Sequence, residues 1–224
     1  MIFVFLKYFC EVSMKKMFVL VLLLLVFIIA QSFSLSPSVF KYAYGEWDIV
    51  GNRLVQNDLD SGMARVDVPY PQVGISEYQF NVQYKNGGAD DGHAGFGIHI
   101  FVDKPAPGKA WGNGDSYLLW MNYDENAKGI TKGLSAQVYK SLNHSQMDLV
   151  ADFDLNKYSD LISEANADFV LPVKMIVNGI SGDVKVYDPT NPAYVYTFNL
   201  GNKSPIDGNY VSLRTNSASF SFGM

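Results

Sequence analysis

The sequence predicts an all-β protein, a two-sheet antiparallel jelly-roll sandwich carrying one short helix. Three observations carry that expectation. Tyr78, Phe80, Val82 and Tyr84 alternate with Gln79, Asn81 and Gln83, the period of two expected of a half-buried strand. Phe96, Ile98, Ile100 and Val102 alternate again after a turn-rich NGGADDG, and residues 117–123 form a third apolar run. The rhythm then continues to the C-terminus, giving about twelve strands at spacings of about 8–12 residues, the pattern of a sandwich rather than a small barrel.

Lys15 and Lys16 precede fourteen residues, 17–30, without a polar side chain, and Gln31, Ser32, Phe33 and Ser34 follow. A basic region, an apolar core and small residues after it describe a secretory signal peptide. The apolar run is shorter than the ~20 residues of a spanning helix. Cleavage is expected after Ser32, so residues 1–32 form the leader and 33–224 a single domain. Met14 opens a conventional leader by itself, which makes it the alternative start. Cys10 is the chain's one cysteine and lies in the leader, so the mature chain has no thiolate chemistry and no disulfide.

Within the domain, 33–44 reads as an extended edge segment. A hairpin follows, with Trp47 and Ile49 on one strand and Leu54 and Gln56 on the next. Gly51-Asn52 supplies the tight turn between them. Met63, Arg65 and Asp67 oppose Ala64, Val66 and Val68 in a strand that Pro69 and Pro71 are expected to end. Residues 134–140 and 147–153 are two more strands, the second with Met147, Leu149, Ala151 and Phe153 on one face. Leu155, Tyr158, Leu161, Ile162 and Ala165 recur at helical spacing and predict one short helix over 155–168. Strands resume from Phe169, with Asn178-Gly179 and Ser181-Gly182 bracketing a hairpin turn.

The order of these pieces resembles the concanavalin A-like lectin/glucanase superfamily, in the style of laminin-G-like and 3-keto-disaccharide hydrolase type domains. The pieces are the segment from Trp47 to Gln56, FGIHI at 96–100, GDSYLL at 114–119, LPVKMIVNG at 171–179, and the closing strands over 208–222. The resemblance covers about 45–224. It implies a jelly-roll sandwich with one concave face, which in relatives often holds glycans.

Charge narrows the partners. The chain carries net −5; losing three lysines and Glu11 with the leader turns 17 basic and 22 acidic residues into 14 and 21, net −7. With no basic cluster left, nucleic acid is excluded as an expected partner, as is an anionic membrane surface after leader removal.

Three constellations could carry chemistry. In the first, Glu46 and Asp48 match two of the three acids of a Glu-x-Asp-x-x-Glu hydrolase strand, but Val50 and Gly51 occupy the places of the third. Asp148 and Asp152 are a second acidic pair, at a spacing of four. Second, Asp90 and Asp91 in the turn 86–93 are the candidate Ca²⁺ ligands, with Asp58 and Asp60 as distant contributors; a polar turn with glycines explains the same letters. Third, Lys109, Trp111, Asn113 and Asp115 lie in a Gly-rich loop. Sugars present apolar C–H faces and hydroxyl rims, so their sites pair an exposed aromatic with polar side chains. Trp111 has no apolar periodic neighbours and is expected to be exposed; Trp120 is expected in the core. His93, His99 and His144 are too isolated for a metal triad, with His99 sharing a face with Gly97 and Phe101. Asn143-His144-Ser145 matches a glycosylation sequon.

The expected function is an exported, non-catalytic, lectin-like sandwich that binds a glycan or a cell-envelope component in the periplasm, at the cell surface or outside the cell. The alternatives are a glycoside hydrolase and a structural envelope or surface-appendage component.

Overall fold

The computed structural model describes residues 39–88, 93–161 and 167–223. The predicted leader, the candidate ligands Asp90 and Asp91, and positions 162–166 of the expected helix lie outside the described residues.

Fourteen strands are described. In chain order they are β1 (Lys41–Tyr44), β2 (Trp47–Val50), β3 (Arg53–Gln56), β4 (Ala64–Gln72), β5 (Ile75–Gly87), β6 (His93–Val102) and β7 (Ser116–Asp124). The second half contributes β8 (Gly133–Ser141), β9 (Met147–Asp154), β10 (Leu171–Asn178), β11 (Asp183–Tyr187), β12 (Val195–Asn199), β13 (Gly208–Asn216) and β14 (Ala218–Gly223). They form two antiparallel seven-stranded sheets. Sheet A runs β1-β4-β13-β6-β7-β8-β9, and sheet B runs β12-β11-β10-β5-β14-β3-β2. The last two strands occupy central places, β13 between β4 and β6 and β14 between β3 and β5, so the C-terminus closes both layers.

The alternation sorts side chains as a sandwich requires. Phe96 from sheet A meets Phe220 and Phe222 from sheet B at ring distances of 5.0 and 6.2 Å. Trp47, Leu54, Val66, Val82 and Leu213 complete that cluster, and a second gathers Tyr78, Ile98, Ile100, Tyr117, Val138 and Val177. The β2–β3 hairpin turns at Gly51-Asn52 as expected, with Val50 opposite Arg53 and Gly51 at φ +63°.

Four local expectations change. Pro69 and Pro71 do not end β4, which continues to Gln72. Beyond Asp67 that strand has lost its neighbour β1 and pairs with β13 alone, so prolines without an N–H are tolerated on the free edge. The described part of the expected helix is a 3₁₀ turn, Asn156–Leu161. Its start is fixed by tertiary bonds: Asn156 Oδ1 accepts Leu134 N at 2.9 Å and its Nδ2 donates to Lys132 O at 3.0 Å.

The other two are bulges, each of which reverses a phase. In β6 Phe101 takes φ +56° and turns into the core instead of sharing the face of His99. Gln72 holds this kink, its Oε1 accepting from Phe101 N at 2.9 Å and Tyr78 Oη at 2.5 Å. In β9 the register slips at Val150, so Ala151 pairs with Val138 but Leu149 with Tyr139. Leu149 therefore leaves the face it was expected to share with Ala151 and Phe153.

Candidate functional site

The outer face of sheet A, turned away from sheet B, is built by register. One row crosses the sheet as Arg65, Arg214, Gly97, Trp120, Gln137 and Asp152. The next runs Asp67, Ser212, His99, Leu118, Tyr139 and Leu149. Residues opposite each other in a ladder share a face; these polar and aromatic side chains therefore stand together on the side of β6, β7 and β8 that the core does not use.

The loop 103–115 folds across part of this face, fastened by buried polar bonds. Asn113 has no exposed surface. Its Oδ1 accepts Ala106 N at 2.9 Å, its Nδ2 donates to Ser212 Oγ at 2.8 Å, and its N–H donates to Ser141 Oγ at 2.9 Å. Arg65 donates from Nη2 to the Ala106 carbonyl and from Nε to Asp67 at 2.9 Å, and Asp67 also accepts Ser212 Oγ at 2.7 Å. His99 is sealed beneath, its Nδ1 3.2 Å from Ser116 Oγ. Burial, with the charges of Arg214 and Arg65 behind it, pushes its pKa well down and keeps the imidazole neutral.

The part of this face that the loop leaves uncovered runs from Trp111 to Asp152 and is called the trough. Trp111 forms its rim and is 45% exposed, standing edge-on to Tyr139 at 6.4 Å. Trp120 forms the floor, half-buried. Its indole lies flat on β6 because Gly95 and Gly97 have no side chains; a Cβ at either would come within 2.1 or 2.8 Å of the ring. Arg214 lies between the two indoles, its Cζ 5.3 Å from the Trp111 ring and 5.9 Å from the Trp120 ring, and its Nη1 donates to the Trp111 carbonyl at 2.5 Å. Burial, then repulsion from Arg65, lowers its pKa to about 10, so it stays a cation at neutral pH. Polar groups line the far side: Trp120 Nε1 donates to Asn122 Oδ1 at 3.1 Å, Tyr139 Oη to Gln137 Oε1 at 2.8 Å, and Gln137 Nε2 to Asp152 Oδ1 at 3.2 Å. Thr131 N donates to Asp152 Oδ2 at 2.6 Å, bringing the β7–β8 loop against that end. Burial pushes the Asp152 carboxyl up, but the bonds from Thr131 and Gln137 outweigh it and hold the group below its ordinary value.

The four residues singled out from the loop sequence separate. Trp111 stands on the trough. Asn113 lies under the loop with its amide taken up by protein, which corrects its expected place on the loop surface. Lys109 sits over the Tyr44 ring at 5.0 Å, toward β1. Asp115, exposed at the foot of the loop, pairs with Lys140. Trp120 corrects in the other direction, being on the outer face rather than in the core. Trp120, Tyr139, Gln137, Asp152 and Arg214 were not foreseen at this site; one signal was available, the two glycines two apart in GFG, which mark where a large side chain must lie flat.

The carboxylates weighed for hydrolysis do not meet here. Glu46 and Asp48 are exposed at the β2 edge of sheet B, where Asp48 accepts Asn57 Nδ2 at 2.9 Å. The β9 bulge puts Asp148, opposite Lys140, and Asp152, opposite Gln137, on opposite faces. Among the described residues no three His, Cys, Asp or Glu side chains form a group able to hold a metal ion.

No protein-family model and no curated protein matches the sequence. Solved structures do match. The metal-free carbohydrate recognition domain of Emp46p aligns at TM-score 0.55 with 10% identity, over 86% of this chain and 88% of that one. The chain has a lectin-like sandwich fold. A Bacillus subtilis protein with a galectin-like fold aligns at TM-score 0.53 and 14% identity, covering 84% and 89% of the two chains. The carbohydrate binding module CBM66 from Bacillus subtilis aligns at 0.52 and 13% identity, covering 83% and 92%. The potassium-bound Emp46p domain aligns at 0.50 with 13% identity, over 83% and 86%. At these identities the likeness is one of fold, and it supports the concanavalin A-like part of the resemblance.

Proposed function

We propose that the protein is an exported, non-catalytic lectin-like module that binds a glycan or glycan-bearing envelope component in the trough on the outer face of sheet A. The observation that carries this reading is the convergence of Trp111, Trp120 and Tyr139 around one open stretch rimmed by Gln137, Asn122 and Asp152. Aromatic faces stack on the C–H faces of sugar rings, while amides and carboxylates at the edge take up hydroxyls. Three neighbouring structures described as carbohydrate recognition or carbohydrate binding domains support the reading by their fold. Export is supported by the lysine pair, the fourteen-residue apolar run and the small residues that follow it.

Binding of the purified protein to a panel of immobilised polysaccharides tests the site. Trp111→Ala and Trp120→Ala should each weaken binding about tenfold or more, the loss expected of a central aromatic anchor. Retention of full affinity by the double variant would remove the trough from the function. N-terminal sequencing of the exported protein tests the leader, with Phe33 expected as the first residue.

A further inference from the structure

We infer that Arg214 makes this trough a site for acidic sugars, its guanidinium receiving the carboxylate of a uronic acid laid across Trp111 and Trp120. The inference rests on the glycan-binding reading and names the ligand class for it. Of the three guanidinium nitrogens of Arg214, only Nη1 has a protein acceptor among the described residues, the Trp111 carbonyl. Nε and Nη2 remain, and these form the side-on fork whose parallel N–H groups match the two oxygens of a carboxylate.

The charge is equally unmatched. Arg214 is 3% exposed, and among the described residues no carboxylate pairs with it. Asp67 is occupied by Arg65 and Ser212. Asp152 ends the same row four strands away, about 19 Å at the ordinary strand spacing, and is held by Thr131 and Gln137. His99, packed below, is neutral, and Arg65 adds a like charge. A buried cation is costly unless paired and hydrogen-bonded. Two indole faces offset part of that cost; an anion between them would offset the rest. The aromatic rims then hold the ring of the same sugar.

The overall charge sharpens the test. A chain of net −5 repels polyanions in general, so any preference for an acidic polymer must come from a local site. The experiment measures binding of the purified protein to polygalacturonate, alginate and hyaluronan, each beside its carboxyl-reduced counterpart, in which the same sugars carry a primary alcohol. At least one acidic polymer should bind about tenfold or more tightly than its reduced form, with the preference falling as salt rises. Arg214→Lys, which keeps the charge without the fork, should lose most of the preference, and Arg214→Met all of it. Equal binding of every acidic polymer and its reduced form overturns the inference, as does a preference that survives in Arg214→Met. Binding confined to neutral glycans overturns the inference and leaves the glycan-binding reading standing, whereas binding to no polysaccharide overturns the reading itself. Should Arg214→Met fail to fold, Arg214→Lys carries the same decision, because a preference it retains in full overturns the role of the fork.

Discussion

Each sheet's outer face has an arginine opposite a glycine, Arg53 with Gly223 on sheet B and Arg214 with Gly97 on sheet A, and the two are treated in opposite ways. On sheet B, Arg53 spends every nitrogen on protein. Nε donates to Ser221 Oγ at 2.5 Å, Nη1 to Asn81 Oδ1 at 2.5 Å, and Nη2 to the Ser221 carbonyl at 2.8 Å. On sheet A, Arg214 spends one. Polar answers polar at short range on both sheets, as in Lys174 with Glu77 at 3.0 Å on sheet B and Arg65 with Asp67 at 2.9 Å on sheet A, but Arg214 stands against two indoles with no counter-charge among the described residues. An arginine whose donors are all answered from within serves stability; one that leaves donors over is, on the proposed reading, available to something outside the chain. Substitutions on sheet B should therefore appear in melting curves, and those around the trough in binding.

The substitution expected to do most damage is at the floor of the trough. Gly97→Ala puts a methyl 2.4 Å from the Leu119 carbonyl and 2.8 Å from the Trp120 ring, contacts that force β6 and β7 apart or lift the indole. Overpacking of this kind costs up to about 3 kcal/mol, and binding should fall with it because Trp120 loses its seat. Thermal unfolding and polysaccharide affinity measured on the same variant check both halves. A variant that binds normally would mean that the flat-lying indole is not the platform.

The β11–β12 connection of sheet B gives the next largest effect, and it depends on pH. Asp188 is buried. Its Oδ1 accepts Thr190 N and Oγ1, both at 2.8 Å, and Asn191 N at 3.0 Å. Its Oδ2 accepts the hydroxyls of Tyr158, on the 3₁₀ turn, and of Tyr196, on β12, the latter at 3.0 Å. Burial alone would raise its pKa, but the bonds from Tyr158 and Thr190 prevail and hold it far below the ordinary carboxylate range; the Tyr158 hydroxyl is pushed up to about 12, by burial first and then by Asp188. A depressed folded-state pKa means that this stabilisation is complete above the unfolded value of about 3.9 and drains away as pH falls below it. Asp188→Asn should cost about 2 kcal/mol at pH 7, a fall in Tm of roughly 4–8 °C, and the difference from wild type should shrink toward pH 2. A difference that stays constant with pH would show that the carboxylate charge contributes nothing.

The alternation in β5, β6 and β8 made the sandwich legible, because polar and apolar side chains take turns there. In β7 they do not. Leu118 and Trp120 on the outer face are as apolar as Leu119 and Met121 behind them, so the strand could be recognised while its inward side could not, and Trp120 was assigned to the core. The bulges at Phe101 and Val150 reverse phase without any sequence mark, since each depends on a partner strand. Trp111 was legible because nothing apolar lies near it in sequence. Asn113 misled for a related reason: a polar side chain in a Gly-rich loop looks exposed, yet a loop laid over a sheet needs such a group to answer its own buried backbone. Arg214 became visible only through register, since the residues that define its surroundings stand about a hundred positions earlier in the chain.

The smallest expected effect separates the two arginines directly. Arg53→Met removes three protein hydrogen bonds from a half-exposed guanidinium and leaves Asn81 and Ser221 to water, which should cost about 1–2 kcal/mol. Arg214→Met removes one hydrogen bond and two cation–π contacts, but it also takes away a buried charge that has no counter-ion among the described residues. Replacing such groups by an apolar side chain of similar size is often neutral or stabilising. The Tm of Arg214→Met should therefore lie within about 2 °C of wild type, or above it, while that of Arg53→Met falls by about 3–6 °C. Polysaccharide binding should reverse the order, unchanged in Arg53→Met and weakened in Arg214→Met. If Arg214→Met were instead the less stable of the two, its guanidinium would be a strut for the Trp111 loop, and the contrast between the two faces would no longer distinguish a stabilising surface from a binding one.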